Sequence, residues 1–469
     1  MAIGRRGTMI FEQHYLDCLS QASYLIGDES SGRAVVVDPR RDVSPYLQSA
    51  NDQRLSIELV LETHFHADFL SGHLELADAT GAAIAYGSIA ETEFDARSLA
   101  HGERISLGNV ELEIRHTPGH TPESISIVVF ENAGDEVPYA VLTGDTMFIG
   151  DVGRPDLLSS VGVTADELAG SLYDSLHEQL LTLPDETRVY PAHGAGSACG
   201  KNLSTDTWST IGEQRSSNYA LAEMTKSEFV DVVTAGQTAP PQYFSYDAGL
   251  NRIERPLLDE HSTPLAIDFA AVIEAQRNGA VVLDARGPDA FGQAHLSGSV
   301  NVGIDGRFAE FAGGVLTPEQ PIILVTNPGD ETVAKNRLGR IGFDRVVGFL
   351  DDAEARLEAD DEHVASGRRV DVPTFRDEIA SREDLQLLDV RQPGETADGT
   401  IDGATVIPLT RLTKEIDTID PSKPVMVFCA GGYRSSIAAS VLRSNGFRDV
   451  ADLLGGYGAW QAEAANASH

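Results

Sequence analysis

The sequence predicts a multidomain chain of mixed α/β and α+β class, and three observations predict it. Its 469 residues exceed what one hydrophobic core ordinarily organises. Short apolar runs in the first half end abruptly in polar loops rich in histidine, aspartate and glycine. The second half repeats itself at a spacing of about a hundred residues, the length of a small domain and not of a solenoid unit.

An apolar fraction of 42% is ordinary for folded protein. The 35 basic residues face 72 acidic ones, a formal charge of −37, spread along the whole chain. Such a surface repels nucleic acid and anionic membrane, so neither is expected as a partner. Lysine occurs only at Lys201, Lys226, Lys335, Lys414 and Lys423, and with the acidity this resembles the proteome of a salt-in halophile. No run is long and apolar enough to span a bilayer. Arg5 and Arg6 lack the apolar stretch of an export signal, because Met9-Ile10-Phe11 runs into Glu12, Gln13 and His14. Three cysteines (Cys18, Cys199 and Cys429) make no disulfide framework and fit a reducing, cytoplasmic setting.

Residues 1–236 alternate apolar strand-like runs with short turns. Ile57-Glu58-Leu59-Val60-Leu61 leads into Thr63-His64-Phe65-His66-Ala67-Asp68-Phe69, and Tyr139-Ala140-Val141-Leu142-Thr143 leads into Gly144-Asp145. Residues 237–263 hold Pro240, Pro241 and Pro256 without a clear period and read as a linker or interdomain strap. Residues 264–365 and 366–469 are the two copies. Val281-Val282-Leu283-Asp284-Ala285-Arg286 matches Leu387-Leu388-Asp389-Val390-Arg391, and Ile322-Ile323-Leu324-Val325 matches Val425-Met426-Val427-Phe428. Alternating strand and helix in each copy implies a small parallel sheet.

A lone His-x-His is a weak metal signal. Here it is followed by Pro118-Gly119-His120-Thr121-Pro122, Thr143-Gly144-Asp145-Thr146 and Pro191-Ala192-His193-Gly194, four strand-end elements in order. Imidazole and carboxylate at strand ends suit zinc or iron. In these motifs the first segment resembles the metallo-β-lactamase superfamily, and within it the persulfide dioxygenase branch, close to the glyoxalase II hydrolases. The resemblance implies an αββα sandwich with the site at one edge, and one Fe(II) per chain held by His64, His120 and Asp145, with zinc an alternative occupant. Two histidines and one carboxylate leave adjacent positions open on the metal. A hydrolase of this kind needs a histidine directly after the motif aspartate for its second metal, and Phe69 stands there. His66, Asp68 and His193 are either groups that orient ligands and metal-bound water, or additional ligands, or inherited fold-stabilising residues. Arg154 either holds the carboxylate of a thiol carrier, as in the resembling family, or pairs with Asp151 or Asp156.

Phe428-Cys429-Ala430-Gly431-Gly432-Tyr433-Arg434-Ser435 follows an apolar strand and opens a helical pattern. Backbone N–H groups at such a helix start stabilise an anion, and Gly431 and Gly432 let the loop close tightly. This loop resembles the active loop of rhodaneses, with a length that fits sulfur transfer. The second copy is thus expected to be an active rhodanese-like domain, with Cys429 as nucleophile and Arg434, Gly431 and Gly432 as substrate-binding groups. The first copy has Thr326-Asn327-Pro328-Gly329-Asp330 at this place, which cannot form a persulfide. It is expected to be a degenerate copy with a packing or docking role. Cys199, in Ala195-Gly196-Ser197-Ala198-Cys199-Gly200-Lys201, either exchanges sulfur beside the metal with help from Lys201, or is a small residue in a small-residue loop.

The resemblance implies oxidation of a small thiol persulfide by O2 to sulfite, coupled to sulfur transfer that forms or uses thiosulfate, for sulfide or persulfide detoxification. A homo-oligomer is expected. The alternatives are a glyoxalase II-like zinc thioester hydrolase and a non-enzymatic sulfur-carrier or sensor scaffold.

Overall fold

A computed structural model describes residues 8–157, 162–237, 239–359, 362–397 and 399–466; Arg5 and Arg6 lie outside them. Two compact units emerge, one of Met1–Leu258 with Arg340–Gly342, the other of Asp259–Gly339 with Phe343–His469. No helix among the described residues is long and apolar enough to cross a membrane.

The first unit holds two six-stranded sheets. One is built in chain order from Met9–Leu16 (β1), Gln21–Asp28 (β2), Arg33–Val37 (β3), Ser56–Leu61 (β4), Ala83–Gly87 (β5) and Arg97–Leu99 (β6). The other runs through Arg104–Ser106 (β7), Glu111–His116 (β8), Ile125–Phe130 (β9), Ala140–Gly144 (β10), Arg188–Pro191 (β11) and Ser209–Thr210 (β12). Strand residues alternate faces, so β3 sends Val35 and Val37 to one side and Val36 to the other, all fully buried. Val35, Val37, Leu59 and Leu61 pack against Leu112, Ile114, Ile127 and Leu142 in the core between the sheets. The outer face of the first sheet (Val36, Val60) is covered by Tyr46, Ala50 and Leu76 from the helices Ser44–Gln53 and His73–Thr80. The outer face of the second (Val128, Val141, Val189) is covered by Leu172, Phe229 and Val233 from Ala165–Asp174 and Lys226–Thr234. This is the expected αββα sandwich. Each such buried aliphatic side chain contributes roughly 1.5–3 kcal/mol.

The proline-containing segment read as a linker or strap has structure of its own among its described residues. They form the helix Phe244–Leu250, and Tyr243, Phe244, Asp247 and Asn251 are buried. The compact first unit runs to Leu258.

The second unit contains two five-stranded sheets of the same topology. The first has the order Ala266–Ile267, Val346–Leu350, Ile322–Val325, Val281–Asp284, Val300–Asn301; the second has Arg368–Val370, Val450–Leu453, Val425–Phe428, Gln386–Asp389, Thr405–Val406. Pairing is parallel throughout both. The repeat read in the sequence is therefore a repeat of sheet and connection, strand for strand.

Candidate metal centre and cysteine loop

His64 lies just past β4, His120 past β8, Asp145 directly after β10 and His193 just past β11. The two sheets are joined at this edge, where the Ile125 N–H donates to the Thr63 carbonyl (2.8 Å) and the Ala22 N–H to the Ala192 carbonyl (2.7 Å). Rigid strand ends thus bring ligands from both sheets together. Gly144 has φ +51°, and a Cβ there would lie 2.7 Å from Thr63 Oγ1, so only glycine lets β10 turn so tightly into Asp145.

His64, His120 and Asp145 are buried, and one ligand atom of each lies within 4.8 Å of the others. Asp145 Oδ2 is 3.8 Å from His64 Nε2 and 3.5 Å from His120 Nε2, and it has no hydrogen-bond partner among the described residues. The outer nitrogens are already committed. His120 Nδ1 is 2.9 Å from the Arg154 carbonyl, which can only accept, so the proton sits on Nδ1 and the Nε2 lone pair faces inward. His64 Nδ1 is 3.0 Å from Thr63 Oγ1, which donates to Asp38 Oδ2 (2.8 Å). Burial, reinforced for His64 by His66, pushes both imidazoles below their ordinary pKa, as ligands require. Two neutral imidazoles and an unpartnered carboxylate oxygen converging in a buried space fit a divalent cation.

His193 works on the other side of Asp145. Its Nδ1 is hydrogen-bonded to Asp145 Oδ1 (2.7 Å), and its Nε2 is 2.8 Å from Asp68 Oδ2. Burial opposes its charge, but the carboxylates of Asp145 and Asp68 outweigh it and hold its pKa well above the ordinary value. Burial likewise opposes ionisation of Asp145, yet His193, His64 and His120 keep its carboxyl far below the usual range. His66, Asp68 and His193 also lie within mutual ligand distance. His66 Nε2, however, is 3.2 Å from Asp38 Oδ1, and the buried Phe69 ring lies tilted against the His66 ring with centroids 4.3 Å apart, occupying space that a further imidazole would need.

Arg154, Cys199 and Lys201 surround this centre, and for Arg154 the structure shows the pairing with Asp156 that the sequence left as one of two readings. The Arg154 fork is not open to a substrate carboxylate: it grips Asp156 (2.7 and 2.8 Å) and also donates to the Ala198 carbonyl (3.2 Å). With its own N–H on the Cys199 carbonyl (2.9 Å), it fixes the Cys199 loop and His120 together. Cys199 does reach the centre, within ligand distance of Asp145 and His193. Burial first, then the Asp68 and Asp145 carboxylates, push its thiol well above the ordinary pKa. Lys201 gives no thiolate support, since its Nζ donates to the carbonyls of Val232 (2.9 Å) and Ala235.

Sequence reading missed two supports. Asp38, at the end of β3, accepts from both Thr63 N–H (2.7 Å) and Thr63 Oγ1; the polar residue ending an apolar strand was its signal. Asn251 had none. Its Nδ2 donates to the carbonyls of His66 and Phe69 (2.8 Å each), and its Oδ1 accepts the Ser71 N–H (2.9 Å). Nearby, Arg255 pairs with Glu75 (2.7 Å), which Arg41 also grips (2.8 Å). Residues 251–255 thus strap the ligand loop in place. His73 is buried with Nδ1 3.4 Å from Glu62 Oε1, and His116 Nε2 meets the Leu99 carbonyl (2.9 Å).

In the second unit, Cys429 ends the strand Val425–Phe428 and is buried at the mouth of the helix Tyr433–Ser444. The Gly432 N–H points at its Sγ (3.1 Å), and Ser435 Oγ is 3.5 Å away. Gly432 has φ +96°, which aims that N–H inward. Gly431 has open space around its Cα. Arg434 makes a two-pronged contact with Glu395, 2.6 Å at each oxygen. Tyr433 donates its hydroxyl to the Gly303 carbonyl of the first copy (2.7 Å).

A family profile described as the metallo-beta-lactamase superfamily matches residues 16–193, and one described as a rhodanese-like domain matches residues 372–463. A mitochondrial persulfide dioxygenase of Homo sapiens is 29% identical over 231 residues, 49% of this chain and 82% of that protein. A cytoplasmic hydroxyacylglutathione hydrolase of Arabidopsis thaliana is 33% identical over 182 residues, 38% of this chain and 66% of that one. The crystal structure of a metallo-beta-lactamase from Staphylococcus aureus is 34% identical, covers 73% of this chain and 99% of its own, and superposes with a TM-score of 0.66.

Proposed function

The chain belongs to the metallo-beta-lactamase superfamily and carries a rhodanese-like domain near its C-terminal end, and from that premise we propose that it is a persulfide dioxygenase coupled to a sulfurtransferase. One thiol persulfide, one O2 and one water give one thiol, one sulfite and two protons. Iron held by His64, His120 and Asp145 would supply adjacent open positions and carry an oxidation that is otherwise spin-forbidden. The protein's own part is orientation and charge. The Arg154 carbonyl and Thr63 fix the imidazoles, while His193 occupies Asp145 Oδ1 and leaves Oδ2 for the metal. Cys199 lines this space as a neutral thiol beside the substrate sulfur.

The sulfite then meets Cys429. The Cys429 thiolate attacks the outer sulfur of a second persulfide, the S–S bond breaks, and the carrier leaves as thiolate. The sulfur lone pair of sulfite attacks the sulfur now on Cys429. That expels the Cys429 thiolate and, after loss of a proton, releases thiosulfate. Carrying both steps on one chain raises the local sulfite concentration at the transferase. The first copy, residues 264–365, takes no part in transfer, and the role of the whole is sulfide or persulfide detoxification in the cytoplasm.

Phe69 against His66 is the observation that supports an oxidising mononuclear centre over a two-metal hydrolase. The grouping of His66, Asp68 and His193, with the likeness to a thioester hydrolase, favours a zinc hydrolase as the second reading. Anaerobic purification, metal analysis and O2 uptake with a defined thiol persulfide separate them. Iron near one per chain, with O2 consumed and sulfite or thiosulfate formed, is the expected result. Two zinc ions, no O2 uptake and thioester hydrolysis would replace it with the hydrolase.

A further inference from the structure

We propose that Glu395 is a specificity-determining residue of the Cys429 loop, a built-in anion that competes with small inorganic dianions for Arg434 and leaves a thiol-borne persulfide as the favoured sulfur donor. This deepens the sulfur-transfer reading and rests on it.

Arg434 is the loop's own cation, and its guanidinium is taken at both prongs by Glu395 (2.6 Å each). The carboxylate is itself placed. Its Oε2 accepts the Gln392 N–H (2.9 Å), and the Glu395 carbonyl accepts from Arg391 (3.1 Å). Arg391 offers no replacement, because its fork is closed on Asp389 and its guanidinium lies 4.1 Å over the Tyr457 ring. Burial disfavours charge on Arg434, and Glu395, then Cys429 and Asp389, more than restore it. The site's positive charge is therefore already matched before any substrate arrives.

Thiosulfate or sulfite reaching Cys429 must displace Glu395 from Arg434 or approach a guanidinium whose charge is already matched. A thiol persulfide presents its outer sulfur to Cys429 without needing the guanidinium. Once thiosulfate has formed, return of Glu395 to Arg434 expels it. Discrimination thus acts on anion affinity and leaves the attack of Cys429 on a persulfide untouched. Glu395 and Arg434 are partly exposed (side chains 36% and 20%), so solvent screening keeps the effect moderate.

The test uses the full chain and needs no turnover. Alkylation of Cys429 by iodoacetamide is followed by peptide mass spectrometry while sodium sulfate is titrated at constant ionic strength. The half-protecting sulfate concentration is expected to fall about three- to ten-fold in Glu395→Gln. Glu395→Asp, which keeps the charge on a shorter arm, should fall between that variant and the parent. In steady state, Glu395→Gln should lower KM for thiosulfate by a similar factor. Equal sulfate protection in the parent and Glu395→Gln overturns the proposal. Failure of the sulfur-transfer reading would register separately, as no gain of a sulfur atom on Cys429 when the parent meets persulfide.

Discussion

The second unit holds two copies of one sheet, and they agree in places where chemistry is not at stake. Asp284 grips Arg286 through Nε and Nη2, with Nη2 also on the Ala294 carbonyl (2.8 Å). Asp389 grips Arg391 in the same way, with Nη2 on the Gly399 carbonyl (2.9 Å). Leu350 and Leu453 hold equivalent pairing positions opposite Ile267 and Val370. Two residues on, the first copy keeps a left-handed turn at Asp352 (φ +50°) where the second has Gly455 (φ +70°). The copies part at the loop after the central strand. In the second, the Gly432 N–H faces the Cys429 sulfur. In the first, Gly329 N–H is capped by both oxygens of Glu331 (3.1 Å each), and the Asp330 N–H returns to the Asn327 carbonyl (3.1 Å). A buried ion pair cannot be dismantled cheaply, so it persists in a copy without a nucleophile. In the first copy the loop's amides are thus taken by its own side chain and backbone, whereas in the second one of them faces the cysteine.

The largest break in the comparison comes from Cys429→Ser, which should remove sulfur transfer to background while persulfide-dependent O2 uptake survives. Loss of both activities in a folded variant would contradict two separate sites. Next, Asp284→Ala and Asp389→Ala should each destabilise their own copy by about 3–5 kcal/mol, since each leaves a buried arginine unpaired. Hydrogen exchange along a urea series reads the copies separately, and unequal costs would show that the shared pair is not a shared support.

A smaller effect follows from His295, which stands where the second copy has Thr400. Burial, with Arg443 and Arg286 adding to it, holds His295 neutral and its pKa is pushed down to about 4 from 6.5. The unfolded chain therefore takes up this proton first as pH falls. The stability His295 contributes is complete above about 6.5 and is lost between there and about 4, on the order of 3 kcal/mol. His295→Gln should flatten the acid sensitivity of the first copy in that window; an unchanged profile would refute the assignment. The smallest change is expected from Thr326→Cys. A thiol placed in a loop whose amide is already capped should gain no sulfur from a persulfide donor, as read by mass. Sulfur loading there would show that the missing cysteine alone had silenced the copy.

The strands, the repeat and the motifs that carry His64, His120, Asp145 and Cys429 were legible because each combines a local apolar run with polar residues at its end. Four such junctions in order narrowed the first unit to one arrangement. Pairing partners were not legible. Whether Arg154 meets a substrate or Asp156, and where Lys201 points, depends on neighbours brought together only by the fold. Asn251 sits in a stretch without period and serves a loop 185 residues earlier, so no window of sequence around either would reveal it.

That distance has a consequence for how the site is completed. As the chain leaves the ribosome, β4 and the histidine loop are made long before residue 251. Both sheets have their strands by Thr210, yet the carbonyls of His66 and Phe69 still wait for Asn251. The loop after β4 is thus made early and secured only by residues made much later, a long-range closure that is slow to pay back its entropy. An expression fragment cut at 236, where composition alone would place the boundary, would carry His64, His120, Asp145 and His193 and lack the clasp that holds the loop after β4.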